Sequence, residues 1–339
     1  MTAPWSTIRA WHAPLVWFAV AMTGLTAVSA VGYVVDDRIL VGVPIWAKPL
    51  KFSISFAVYA ISLAWMLSLL RRPAVRRLGH RVGTVLAAAS SVEMTAIVLQ
   101  VVRGHQSHFN KSTPFDAAVY AVMGATVVII FTCTIVVAVA VAMTPLAERA
   151  ITWAVRLGLV ICLAGMSVGF LMVIPRAIQL QDDNGIIGAH SVGVTDGGAS
   201  MPFLGWSTTG GDLRIAHFIG MHALQALPLL ALAMTLLPAT ARLTQRTRVR
   251  IVFLAAAAYT GVVGLTLAQA LRGQSLIHPD YTTLATAAAL LATLACALLV
   301  ITVNGGRAGH SVIKAAMDPG EASSAREERL TKRMNTPLE

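Results

Sequence analysis

The chain has 339 residues, 56% of them hydrophobic and only 12% charged, with a mean hydropathy of +0.72. That composition excludes an ordinary soluble globular domain. A net charge of +11 and an isoelectric point near 10.3 would point a soluble protein toward nucleic acid, but here the arginines cluster between apolar runs, so no nucleic-acid partner is expected.

Lipid offers backbone N–H and C=O groups no partner, so apolar runs of about 18 residues or more mark spanning helices. Eight such runs predict an all-α integral membrane bundle, with approximate spans 14–35, 50–70, 82–102, 116–143, 152–174, 214–236, 251–271 and 282–303. With the N-terminus in the cytoplasm, eighteen of the 26 Lys and Arg fall on the cytoplasmic side and eight on the other. This positive-inside asymmetry places the protein in a cell (inner or plasma) membrane with both termini cytoplasmic and the lipid bilayer as its one assured partner.

In chain order, Arg9 and the first apolar run look like a signal peptide, but the run is too long for one and reads as an uncleaved first helix. The connection DDRILVGVPIWAKPLKF is expected along the interface. Lys48 and Lys51 either snorkel to the headgroups or face the bundle and bind an anion, snorkelling being the simpler reading. RRPAVRRLGHR reads as a cytoplasmic anchor loop. Glu93 lies about ten residues from either end of the third run, near the midplane, where a carboxylate must face the bundle interior. Gln100 and Arg103 share one helical face. His105 and His108 follow in a polar turn and form a weak metal-pair candidate. Thr113-Pro-Phe-Asp116 has the form of a capping box, which makes Asp116 a cap.

The connection 175–212 carries Asp182, Asp183 and His190, eight glycines and apolar anchors such as Phe203 and Trp206. A long connection with its own apolar anchors is expected to act as a lid or plug. The sixth run holds Arg214, His217, His222 and Gln225. His217 and His222 lie about 140° apart around the helix, so they cannot share one haem iron. A His–Met pair stays open, and no cofactor is assigned. Counted by helical rise, His222 and Glu93 sit about 12 and 15 Å below Arg214 and Arg103, which predicts a Glu93–His222 contact. The three cysteines, all within apolar runs, read as packed thiols.

The segment QVVRGHQSHFNKSTPFD (100–116) has a weaker copy in QALRGQSLIHPD (269–280), with Gln269 and Arg272 in the places of Gln100 and Arg103. Two fainter matches accompany it: Lys48-x-x-Lys51-Phe52 with Arg214-x-x-His217-Phe218, and Val31-Gly32-Tyr33 with Val168-Gly169-Phe170. Two tandem four-helix halves, 1–145 and 146–303, then follow, related about an axis along the membrane normal. Residues 304–339 are expected as a cytoplasmic, largely disordered tail with room for a short helix. The duplication would gather Lys48, Lys51, Gln100, Arg103, Arg214, His217, Gln269 and Arg272 around one outward-facing polar cavity.

The segments VPIWAKPLKFSIS, RGHQSHFN and LGWSTTGGDLRIAHFIGMHALQALPLL resemble a group of uncharacterised bacterial eight-helix membrane proteins over most of residues 40–280. The resemblance implies the architecture and no activity. Three functional readings stay open. The first is binding or transport of a small polar or anionic ligand, drawing on Glu93, Gln100, Arg103, Arg214, His217, His222, Gln225, Gln269 and Arg272. The second is a metal-dependent or redox enzyme using His105, His108, His190, His217 and His278. The third is an accessory or sensory subunit. No sequence pattern specifies an oligomeric state.

Overall fold

The computed structural model describes residues 11–176, 179, 185–241 and 243–317. Among them, eight helices are long and apolar enough to cross a membrane: α1 Ala13–Val35, α2 Ala47–Ser68, α3 Pro73–Arg103, α4 Pro114–Ala142, α5 Arg149–Met172, α6 Leu213–Leu236, α7 Gln245–Leu271 and α8 Tyr281–Met317. The chain is an all-helical, multi-pass membrane protein. Side-chain oxygens of Thr113, Glu148, Asp212 and Thr244 accept from backbone N–H groups in the first turns of α4, α5, α6 and α7, as orphan donors there require.

Several helices outrun their apolar windows. At 31 residues α3 is roughly 46 Å long, against a hydrocarbon core of about 30 Å. It begins at Pro73, so most of the expected RRPAVRRLGHR loop is its first turns. Hydropathy reports where lipid contact ends, whereas helix continues wherever local propensity allows. α8 likewise runs to Met317 rather than ending near 303, through Gly305, Gly306 and Gly309, an extension that helix propensity does not explain. The remaining tail, like Arg9, Asp182 and Asp183, lies outside the described residues.

Helices α1–α4 and α5–α8 show the same order of contacts: within each set the first helix packs on the second and third, the second on the third, and the third on the fourth. The two sets touch through α4 with α5 and through α2 with α6. The closest pairing is α5 with α6, where a Cβ built on Gly165 would stand 2.6 Å from the Gly220 backbone; only glycine at both positions permits that approach. Cys133 and Cys162 are buried in this interior, but Cys296 is exposed on α8 and is not a packed thiol.

At one end the connections are short, and arginines such as Arg76, Arg77, Arg149 and Arg246 stand in the opening turns of the helices that follow them. At the other, a ribbon of β1 (Ile39–Leu40) and β2 (Val43–Pro44) and the long connection before α6 fold together over the helix ends. β3 (Ser191–Val192) pairs with β4 (Gly211–Asp212), closing this connection on itself. It is stitched down by Lys111 N to Gly185 O, Ile187 N to Phe109 O and Ala189 N to Met172 O. The β1–β2 ribbon meets it at Gly42 and Gly197. That connection therefore joins the cover instead of lying alone at an interface.

Candidate functional site: a covered cationic cavity

Beneath the cover lies a cavity of about 820 Å³, within the size range of small-molecule sites. Its wall takes Lys48, Lys51 and Phe52 from α2, Arg214, Phe218 and His222 from α6, His108 from the α3–α4 turn, and His190, Asp196 and Trp206 from the cover. Lys48 and Lys51 do not snorkel. Lys51 Nζ donates to Leu204 O at 2.7 Å, and Arg214 Nη2 donates to Gly205 O at 2.5 Å. Neighbouring carbonyls of the cover are thus held by cations from α2 and α6. Arg214 is also paired with Asp212, the N-cap of its own helix.

Three non-glycine residues have positive φ among the described residues: Val41 (52°), Phe109 (65°) and Phe203 (63°). All three line the cavity. A left-handed conformation at Val or Phe costs on the order of 1–3 kcal/mol and persists only where surrounding structure enforces it.

His108 enters the bundle with the turn that carries it. Its Nδ1 lies 2.8 Å from Lys48 Nζ and 3.2 Å from Ser107 Oγ, and its Nε2 stands 3.5 Å from Glu93 Oε1. With Lys48 as an ammonium, which donates and does not accept, Nδ1 presents its lone pair and Nε2 carries the proton. Burial, followed by the charges of Lys48, His190 and His217, holds His108 well below its ordinary pKa of 6.5. On the other wall Asp196 Oδ2 accepts from His190 Nδ1 at 2.8 Å and from its backbone N at 2.9 Å, while Oδ1 accepts from Ser191 N. Burial lowers the His190 pKa despite Asp196. Asp196 is held far below the carboxylate range, its hydrogen bonds and the His190 charge outweighing its burial.

The expected Glu93–His222 contact does not form. Glu93 is met by His108 and by Thr126 Oγ1, which donates at 2.6 Å, while His222 Nδ1 faces Gln225 Oε1 at 3.2 Å. Counting residues fixes depth along a helix but not which way the helix is turned, and a loop histidine arrived first. His217 Nδ1 donates to Gly165 O at 2.8 Å and contributes to the α5–α6 contact. His105 turns to Asp116, with Nδ1 3.4 Å from Oδ2, and His108 to Glu93, so the two do not converge as a metal pair. Among the described residues no group of three or more His, Cys, Asp or Glu is placed to hold a metal ion.

The four expected pairs do not share one cavity. Arg103 and Gln100 bind Asp116 Oδ1, at 2.6 and 2.8 Å, and each other. Arg272 binds Asp280, Thr282 and Thr283, and Gln269 Nε2 donates to Ser275 O. Each arginine is satisfied by a carboxylate opening the next helix, so neither has reason to reach the centre. Asp116 is therefore more than a cap: it is fully buried and accepts from Gln100, Arg103 and Thr113 together.

Sequence reading missed Asp196, for which a Gly-flanked aspartate gives no signal beyond a turn. It also missed Thr126, although twelve residues below Pro114 puts it at a depth near that of Glu93. The fold and cavity define a polytopic membrane protein with a covered, cation-lined chamber at one end of its bundle. Comparison with family models, curated proteins and solved structures finds no match to the chain.

Proposed function

We propose that this protein binds a small anionic ligand in the covered cavity, as the recognition step of transport across the membrane. The observation that supports this most directly is the convergence of Lys48, Lys51 and Arg214 on one chamber, against Asp196 as the one carboxylate among the described lining residues. Two of those cations are occupied by carbonyls of the cover, which an anion can displace. The arginine asymmetry supports termini in the cytoplasm and a cavity facing outward. The shared packing scheme and corner geometry support a duplicated four-helix unit with its axis between α2 and α6.

Calorimetric titration of the purified protein with sulfate, phosphate and small carboxylates tests the reading. Binding is expected to fall roughly tenfold or more in Lys51→Gln and Arg214→Gln and to be unchanged in Arg272→Gln. Equal binding by all three variants would remove the cavity as the site. The His190–Asp196 pair supports a second reading, in which imidazole Nε2 serves as a general base toward a bound substrate. Turnover of a bound compound, lost in Asp196→Asn, distinguishes it.

A further inference from the structure

The cavity has a polar extension that anion recognition does not use. Glu93 is 1% exposed, and its Oε1 has no hydrogen-bond partner. That oxygen faces His108 Nε2 at 3.5 Å, while the opposite ring nitrogen meets Lys48 at 2.8 Å on the cavity wall. One imidazole therefore bridges the chamber and a carboxylate sealed from it.

We propose that His108 passes protons between the cavity and Glu93, so that a proton enters together with the anion. The coupling rests on the anionic reading of the cavity; the proton path rests on the bridge itself. At rest, the Lys48 charge is balanced through the imidazole by Glu93. An anion seated against Lys48 becomes its countercharge and leaves Glu93 as a second negative charge in low-dielectric surroundings, which is costly. Protonating Glu93 removes that cost.

The step balances without a redox partner. Once Lys48 has turned to the anion, a hydronium ion entering the cavity from solvent gives its proton to Nδ1 and is left as water. Its O–H bond breaks as Nδ1–H forms, and Nε2–H breaks as Oε1–H forms. The imidazole stays neutral in its other tautomer and resets by a ring flip or by the reverse transfer. Glu93 on α3 is faced by Lys48 from α2, Thr126 from α4 and His108 from the turn. His108 is faced in addition by Ser107, by His190 of the cover and by His217 of α6, with Arg214 and Asp196 acting on His190 from beyond.

Infrared difference spectroscopy on the full chain in lipid nanodiscs reads the protonated-carboxyl stretch, assigned to Glu93 by its loss in Glu93→Gln. After a jump to acid pH, His108→Gln, which can still hydrogen-bond both neighbours but cannot relay, is expected to slow the band by about a hundredfold. His108→Phe provides a second variant with the same expectation. Equal rates in wild type and a folded variant overturn the relay. Sulfate, which brings no proton of its own near neutrality, is expected to raise the band at fixed pH and to take up about one proton per ion bound. Sulfate binding with no change in the band overturns the coupling and leaves the anion site standing. Absence of sulfate binding with His108-dependent kinetics overturns the anionic reading and leaves the relay standing.

Discussion

Gln100 and Gln269 hold the same posture. Each closes a helix by accepting, at its backbone oxygen, the N–H five residues on, and each donates side-chain Nε2 to the carbonyl six residues on, at 3.4 and 2.7 Å. Gly104 and Gly273 follow with φ of 76° and 70° and complete a Schellman closure, the left-handed step that glycine makes without strain. The corners differ in depth: Asp116 is fully buried, while Asp280 is exposed. Asp116→Ala is therefore expected to cost about 2–3 kcal/mol, because it strands Arg103 and Gln100. Asp280→Ala is expected to cost clearly less, and thermal melts of the two variants in one detergent check the order.

The cover should loosen when its latch is cut. Lys51→Met removes the donor to Leu204 O without shortening the side chain. Hydrogen–deuterium exchange across 199–208 is expected to quicken roughly tenfold, with little change at the α3–α4 turn. No change across 199–208 would mean that Arg214 on Gly205 O, Phe203 against Tyr33 and the remaining backbone bonds suffice to hold the cover.

Stability should fall on acidification in two windows. His108 and His190 have folded pKa values below the ordinary 6.5. The unfolded chain therefore binds more protons, so stability is fully present above about 6.5 and declines as pH drops below it. Asp196, held below its ordinary 3.8, adds a further loss below about that pH. Melting temperature followed against pH is expected to show both declines, with the first reduced in His190→Gln.

Glycines separate by what a methyl group would meet. Gly165→Ala drives a Cβ into the Gly220 backbone and is expected to separate α5 from α6, seen as lost folded yield. Gly24→Ala and Gly124→Ala meet nothing within 4 Å and are expected to be neutral or to stabilise by up to about 1 kcal/mol.

The amino-acid sequence by itself determined the eight spans, the buried orientation of Glu93, the capping of α4 by Thr113 and the likeness of the two corners. Each follows from a local rule: apolar length, the cost of a carboxylate in lipid, or hydrogen bonds within a few residues. Tertiary structure alone decided which polar groups meet. It turned Lys48 inward, carried His108 from a surface-looking turn to Glu93, gave His222 to Gln225, and kept Arg103 and Arg272 in their own corners. Residue spacing along a helix sets depth, but rotation about the helix axis and the path of a loop are settled only by packing against neighbouring helices. The partner of a buried charge is fixed at that stage.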